Sequence, residues 1–332
     1  MTGLDKTRTV GAVVIGRNEG QRLMACLESL LGSLEHIVYV DSGSTDNSLY
    51  EASERGVDCL SLDLSTPFTA ARARNEGATY LLQQYPGLSY IQFVDGDCEV
   101  QPQWLSSAQN FLDAETAYAV VCGRRRERYP KGTIYNQLCD IEWNTPIGEA
   151  MACGGDALIR VSAFVQVTGY RDDLIAGEEP EMCFRLREHG WRIFRLDEEM
   201  TLHDAAIMSF SQWWNRAKRA GYAYASSYYL HSDSLEKFKM KELRSIIFWA
   251  TVLPVVTLML LLWHKVFMGL FLAYPLQVAR LNFKFKRLNK PRKVTFFYAL
   301  TTVLAKGPQF LGCFKFFMDK LKGNRAQLIE YK

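Results

Sequence analysis

The sequence predicts an α/β fold, a mostly parallel sheet with helices on both faces, followed by membrane helices at the C-terminal end. Three observations carry this. Runs rich in β-branched and aromatic residues alternate with runs at helical spacing through the first two thirds of the chain, the pattern of a sheet with crossover helices. Two of the strands end in acidic turns, Asp41-Ser42-Gly43-Ser44-Thr45-Asp46 and Asp95-Gly96-Asp97, and open α/β sheets bind ligands at the carboxyl ends of their strands. Ser245 to Trp263 then carries no formal charge; as a helix it is about 28 Å long, against a hydrocarbon core of roughly 30 Å.

The elements follow in order. Val10 to Ile15 reads as the first strand, and Leu23, Cys26, Leu27, Leu30 and Leu31 then fall at helical spacing. His36 to Val40 is a second strand, followed by a helix through Glu54, a short strand at Cys59 to Leu62, and a helix from Ala70 to Gln84 that Thr69 caps. The strand Tyr90-Ile91-Gln92-Phe93-Val94 runs into Asp95, and Ala117 to Cys122 supplies another. From Glu127 to Gly177 the pattern is irregular, as suits a region shaped around a second substrate. Glu181 to His189 reads as a helix with Pro180 at its first position, Glu179 at its N-cap and Gly190 ending it. A strand at Arg192 to Leu196 precedes His203. The expected division is a catalytic domain over residues 1–240 and a membrane-anchoring region over 241–332.

In that second region Val266 to Ala279 is a further uncharged stretch, too short to cross alone. Lys237, Lys239, Lys241 and Arg244 precede the pair; Lys284, Lys286, Arg287, Lys290, Arg292 and Lys293 follow it. Basic flanks favour the cytoplasmic side, so residues 245–279 are expected to form a hairpin with both ends in the cytosol. Val294 to Phe317, broken by Lys306, Gly307, Pro308 and Lys315, reads as interfacial or re-entrant. A buried helix pair of a soluble protein is the alternative.

Composition narrows the function. With 48% hydrophobic and 23% charged residues the chain is a folding one. Its net charge of +3 conceals a basic tail, where residues 280–325 hold twelve Lys or Arg against the single acid Asp319. The remainder is acidic, which argues against nucleic acid as a partner and for a tail beside a negative surface. Eight cysteines with no paired spacing make zinc and a disulfide framework poor expectations. The polar stretch Met1 to Thr9 is not expected to act as a secretory signal, and a reducing cytosol is expected for the globular part.

Several side chains can carry chemistry. Asp95 and Asp97 place paired hard oxygen ligands at a strand end, suited to a divalent cation holding a diphosphate; an Asp-Gly turn is the plain alternative. Asp41 can accept hydrogen bonds from a nucleobase or ribose, while Ser44 and Asp46 suit capping of the next helix. Arg72 and Asn75 share a helix face that could approach a diphosphate, next to Arg74. Gly177-Glu178-Glu179-Pro180-Glu181 is a second acidic cluster, richer than capping requires, and a helix N-terminus keeps a carboxylate ionised for general-base work. His203 is either a metal ligand or a hydrogen-bonded structural histidine. Trp213, Trp214 and Arg216 could stack on a sugar and close over a phosphate, or belong to a membrane interface.

Taken together over residues 8–220, these segments resemble a family 2 glycosyltransferase of the GT-A fold, of the membrane-associated bacterial polysaccharide-assembly type. Val14-Ile15-Gly16-Arg17-Asn18-Glu19 resembles its first-strand signature, Asp41 to Asp46 its second, and Ala73-Arg74-Asn75-Glu76-Gly77 its Ala-Arg-Asn-x-Gly segment. Asp95-Gly96-Asp97 resembles its Asp-x-Asp metal motif, and Gly154 to Tyr170 the acceptor-side stretch before its Gly-Glu-Asp-x-Asp-Leu motif, here Gly177 to Met182. The resemblance implies an inverting enzyme that moves a sugar from a nucleotide-sugar donor to a saccharide or lipid-linked acceptor at the cytoplasmic membrane face, with Mg²⁺ or Mn²⁺ as cofactor. It implies donor binding by Arg17, Glu19, Asp41, Arg72, Arg74, Asn75 and Asp95, cation binding by Asp95 and Asp97 with His203 as a further ligand, and Glu179 as base. The family's two later aspartates are glutamates here, which leaves the choice among Glu178, Glu179 and Glu181 open. Gln212 to Arg216 only loosely resembles the Gln-x-x-Arg-Trp motif of processive synthases, so transfer of a single sugar is expected.

A polyprenol-phosphate glycosyl synthase is the nearest rival reading, with the same donor site and a lipid phosphate as acceptor. A nicotinamide dehydrogenase is disfavoured, because the first strand leads into Gly16-Arg17-Asn18-Glu19-Gly20 and not Gly-x-Gly-x-x-Gly. A catalytically silent membrane scaffold of the same fold is the non-enzymatic reading.

Overall fold

The structure is a computed structural model and describes residues 9–323 and residue 329; the polar stretch before Thr9 lies outside the described residues. By internal contacts the chain groups into two units. One comprises residues 1–128 and 142–205, the other 129–141 and 206–332.

The first unit opens with β1 (Thr9–Gly16), α1 (Gln21–Leu30), β2 (His36–Asp41), α2 (Ser48–Glu54), β3 (Asp58–Ser61), α3 (Ala70–Gln84) and β4 (Leu88–Asp95). These are the predicted elements within a residue or two. β3, β2, β1 and β4 lie side by side and run parallel, so Gly16 pairs with Asp41 and Ile15 with Asp95, and both acidic turns leave the sheet at one end. The strands are buried on both faces, with Val13, Val14, Val38, Tyr39, Val40, Ile91, Phe93 and Val94 fully enclosed, which is what near-continuous apolar runs of a parallel sheet require.

Beyond β4 the sheet is mixed. β5 (Cys98–Val100), α4 (Trp104–Ala114) and β6 (Tyr118–Glu127) are followed by α5 (Ile134–Glu142), β7 (Gly148–Glu149), β8 (Ala157–Arg160), α6 (Val161–Gln166), α7 (Glu178–Glu188) and β9 (Arg192–His203). β8 inserts antiparallel between β4 and β6, while β6 and β9 pair in parallel through several register shifts. The stretch read as irregular thus holds four short elements, most too brief to show a period. β9 is longer than predicted, running through to His203, and register shifts against β6 fall in its middle, where Asp197 and Glu199 are exposed.

One correction concerns α7. Gly177, with φ of 79°, is its N-cap, and Glu181 donates its backbone N–H to the Gly177 carbonyl. Glu179 is therefore inside the first turn and not at the cap. Pro180 is tolerated there because first-turn N–H groups have no intrahelical acceptor. At the other end Gly190 takes the left-handed conformation that closes the helix.

The second unit holds α5 but for its last residue, then α8 (Phe210–Leu230), α9 (Met240–Ile247), α10 (Leu253–Leu261), α11 (Ala273–Phe285), α12 (Arg292–Leu304) and α13 (Lys306–Leu321). Through intervening π and 3₁₀ turns, Met240–Leu261 and Lys265–Leu288 form two helices long and apolar enough to cross a membrane, judged by length and composition. Much of their apolar surface is exposed, Leu258, Met259, Val266, Leu272 and Leu276 included, and Tyr274 donates a hydrogen bond to the Trp249 carbonyl at 2.6 Å, tying one to the other. The third apolar stretch is broken at Ala305 into α12 and α13.

α3 packs on the sheet through Gly77, where a Cβ would come within 2.5 Å of Val13 Cγ1 and 2.9 Å of Val40 Cγ2. Gly77→Ala is expected to destabilise by about 1–3 kcal/mol, the usual cost of overpacking, in denaturant unfolding. Gly87, where an added methyl group would meet nothing within 4 Å, is the control, and Gly87→Ala should be near neutral. Equal effects at both positions would contradict the close approach of α3.

Candidate active site

At the end of β4, Asp95 is held from below by a buried residue the motifs did not single out. The Asp95 backbone N–H donates to Asp156 Oδ1 at 3.0 Å. Asp156 is fully buried, and its Oδ2 accepts from Thr201 Oγ1 at 2.8 Å and pairs with Arg125 at 2.9 Å. Arg125 comes from β6, between Arg124, which is also buried, and the exposed Arg126; nothing in the triple-arginine run marks which of the three reaches Asp156. A Cβ on Gly155 would stand 2.8 Å from Asp95 Oδ2 and 3.0 Å from Arg74 Nη2, so only glycine lets the chain pass this close.

Arg74 is the centre of the arrangement. Thr69 caps α3 by accepting from the Arg72 N–H, and one turn on, the Arg74 guanidinium is buried. It donates to Asp95 Oδ1 at 2.6 Å and to Glu178 Oε1 at 2.9 Å. One cation therefore spans the two acidic motifs. Burial opposes its charge, but Asp95 and Glu178 hold it firmly protonated. In return, burial pushes Asp95 up while Arg74 and Arg125 outweigh it, leaving the carboxyl below the usual carboxylate range.

The three glutamates of α7 have different surroundings. Glu181 is fully buried and receives Arg185 Nε and Nη2, at 2.9 and 2.8 Å, and Arg185 in turn donates to the carbonyls of Val167 and Gly169. Glu178 is taken by Arg74. Glu179, also buried, accepts at Oε1 from the Cys153 backbone N–H at 2.5 Å and from Cys183 Sγ at 3.2 Å. The hydrogen bond to Cys183 and burial raise the Cys153 thiol well above its ordinary value, so it is no ready nucleophile.

Asp97 and His203 meet. Asp97 Oδ2 and His203 Nε2 lie 3.2 Å apart, both residues buried, because β5 pairs Cys98 with His203 across the sheet edge. Trp143 stacks on the His203 ring at 4.6 Å and 7° and also lies under Arg125, at 5.7 Å. The donor set fits Mg²⁺ or Mn²⁺: a carboxylate and an imidazole suit such ions, and two neighbouring ligands of an octahedral ion at about 2.1 Å stand about 3 Å apart.

The other predicted residues have their own engagements. Asp41 Oδ2 accepts from the N–H groups of Gly43 and Ser44, and Oδ1 from Ser44 Oγ and Tyr39 Oη, so the carboxylate organises its own turn. Asp46 accepts from the Ser48 N–H at the start of α2, while Ser44 accepts from the Asn18 N–H. Arg17 lies over the Phe68 ring and Glu19 pairs with Arg22. Arg72 binds Glu76 and the carbonyls of Asp63 and Thr66. Asn75 bonds to both the N–H and the carbonyl of Tyr170 and to Asp172. Of this helix only Arg74 is joined to Asp95. Trp213, Trp214 and Arg216 are on α8 in the second unit, with Trp213 buried against Tyr135 and Phe210; Gln212 forms a capping box with Ser209.

Residues 12–166 match the profile of the family described as Glycosyl transferase family 2. No curated protein matches the sequence. Among solved structures, the chain is similar to the mannosyltransferase PcManGT from Pyrobaculum calidifontis in complex with GDP-Man and Mn²⁺, at 15% identity and TM-score 0.59, covering 95% of this chain and 89% of that one. It is similar to residues 1–349 of S. aureus TarS in complex with UDP-GlcNAc, at 14% identity and TM-score 0.50, covering 96% and 93%. Against a longer S. aureus TarS structure the match has 14% identity and TM-score 0.47, covers 65% of this chain, and spans 39% of that one. The fold is the GT-A form of the Rossmann-like α/β sheet.

Removing the central cation tests the charge arrangement. A carboxylate whose folded value is depressed contributes stability that is complete above its unfolded value, about 3.9, and is lost as pH falls through the folded value. Arg74→Met leaves the partly buried carboxylates of Asp95 and Glu178 without their shared cation, so at pH 7 the variant should lose about 1–3 kcal/mol. The difference from the parent should shrink as pH falls through the carboxylate range, because Asp95 protonates in the variant before it does in the parent. Unfolding curves giving a difference that is constant with pH would contradict the pairing.

Proposed function

We propose that the chain is a metal-dependent glycosyltransferase that moves a single sugar from a nucleotide-sugar donor, with inversion, to a saccharide or lipid-linked saccharide acceptor at the cytoplasmic face of a membrane. The observation that carries this is the span of Arg74, which brings Asp95 of the strand-end motif and Glu178 of the helix motif onto one guanidinium. A single displacement needs such an arrangement, with the leaving diphosphate on one side and a base on the other. GDP-Man with Mn²⁺ and UDP-GlcNAc in the two similar structures support the donor class.

Mg²⁺ or Mn²⁺, held by Asp97 and His203 beside Asp95, would supply Lewis-acid neutralisation of the leaving diphosphate. The chain's own residues do the rest. Trp143 keeps the His203 ring in plane, and Asp156 fixes the backbone that carries Asp95. Glu179 takes the acceptor proton. Glu181 is paired with Arg185 and Glu178 with Arg74, whereas Glu179 is held by neutral donors. The Glu179 bonds from Cys153 and Cys183 both fall on Oε1, which directs the proton to Oε2. The first turn of a helix favours the anionic form of a carboxylate, the form a general base requires. The depressed Asp95 stays anionic at neutral pH, as a partner of ribose or cation must. Apolar helices flanked by lysine and arginine support placement at a membrane with the flanks in the cytosol.

Incubating the protein with a panel of sugar nucleotides and Mn²⁺ should release one nucleoside diphosphate in an acceptor-dependent way. Asp97→Asn should abolish that release while the protein stays folded, because a neutral amide cannot replace an anionic ligand. Glu179→Gln should lower turnover by about 10²-fold or more with donor binding little changed. Glu181→Gln should act through stability. Near-normal turnover in Glu179→Gln with binding intact would move the base elsewhere, dependence on polyprenyl phosphate alone would favour the polyprenol-phosphate synthase, and no turnover with any donor would leave a scaffold.

The hairpin has its own test. Single cysteines near His264 and near Asn289 should react with a membrane-impermeant reagent from opposite sides. Labelling from one side for both would remove the hairpin.

A further inference from the structure

Behind Glu179 lies a group of ligands that the transfer reaction leaves unused. Cys153 Sγ and Cys183 Sγ are 3.6 Å apart, and Cys183 Sγ is 3.2 Å from Glu179 Oε1. The three ligand atoms all fall within 4.8 Å of one another. Glu179 and Cys183 are four residues apart on α7, hence on one face of the helix. Cys153 reaches them from the segment before Gly154, fixed there by its own N–H on Glu179. We propose that Cys153, Cys183 and Glu179 bind a thiophilic divalent cation, Zn²⁺, and that this binding withdraws Glu179 from catalysis.

The spacing carries the proposal. Two thiolates at about 2.3 Å from a tetrahedral zinc stand about 3.8 Å apart, close to the separation already present. A disulfide would need the sulfurs at about 2.05 Å, and so a larger movement. The donors also sort the metals. Two sulfurs and one carboxylate favour zinc, whereas the carboxylate and imidazole of Asp97 and His203 suit the harder Mg²⁺ or Mn²⁺. Cys153 is the least buried of the three residues, Cys183 and Glu179 being enclosed, so the Cys153 side is the nearest to solvent. Glu179 Oε1 would become a ligand and the bond from the Cys153 N–H would be given up. Zinc would then inhibit without displacing the catalytic cation. Only this inhibition rests on the role given to Glu179 above; the binding does not.

The test uses the full-length chain, kept reduced with a phosphine, and Cd²⁺ as the spectroscopic stand-in for Zn²⁺. One equivalent should produce thiolate-to-metal charge-transfer absorption in the ultraviolet, and Zn²⁺ should bleach it by competition. Cys153→Ser and Cys183→Ser should each weaken binding at least about tenfold, the lower end of what loss of a mere supporting group costs, and the double variant should lose the band. If Cys183→Ser does not fold, as judged by circular dichroism, Cys183→Ala replaces it. In the transfer assay with Mn²⁺ present, Zn²⁺ should inhibit the parent and inhibit Cys153→Ser at least about tenfold less strongly. Absence of the band, or a band that both substitutions leave unchanged, overturns the site. The band together with undiminished transfer overturns the inhibition and leaves the binding; the band in a protein that transfers no sugar at all counts against the glycosyltransferase reading and not against the zinc site.

Discussion

The buried guanidinium of Arg74 is the constraint on which the rest of the site depends. A charge enclosed in protein is expensive unless paired and hydrogen-bonded, and Arg74 has Asp95 and Glu178 within 2.9 Å. Neither carboxylate could sit so close to the other acids without it. A second cation, Arg125, answers Asp156 underneath, so positive and negative groups alternate through the floor of the site. Together they position the strand-end carboxylates, Asp95 partly exposed and Asp97 buried against His203, and draw the start of α7 toward Asp95 through Arg74.

Around this pairing, several acidic residues hold the structure, and the others are those proposed to react. Glu181 fastens Arg185, which ties the loop carbonyls of Val167 and Gly169 to α7. Asp41 closes its own turn, and Asp156 carries the backbone of Asp95. What remains is Asp97 with His203 on one side and Glu179 on the other. The same economy explains Gly155, where the backbone passes against Asp95 and Arg74 with no room for a side chain.

Much of the fold is legible in the residues because its elements are long or strongly patterned. β1, β2 and β4 and helices α1 and α3 show either β-branched and aromatic runs or helical spacing, and their ends carry turn residues and caps that mean something locally. β8, with only four residues, has no readable period, and its antiparallel insertion depends on partners far away in sequence. The site divides in the same way. Asp95, Asp97, Arg74 and the glutamates of α7 stand in motifs, whereas Asp156, Arg125, Trp143, Cys153 and Cys183 are joined only by tertiary pairing. Arg72 and Asn75 carry the right chemistry for a phosphate, but the helix turns them toward Asp63 and Tyr170. The N-cap of α7 fell to Gly177, since proline limits a helix less within its first turn than its position after Glu179 suggests.

The central claim is that the strand-end carboxylates and the first turn of α7 form one donor site around a divalent cation. Anomalous diffraction from crystals of the protein grown with Mn²⁺ and a nucleoside diphosphate tests this most directly. The account predicts a manganese peak bonded to Asp97 and His203, with the diphosphate beside it and Arg74 still bridging Asp95 and Glu178. A peak bound elsewhere, or a diphosphate lying away from Asp95, would contradict it.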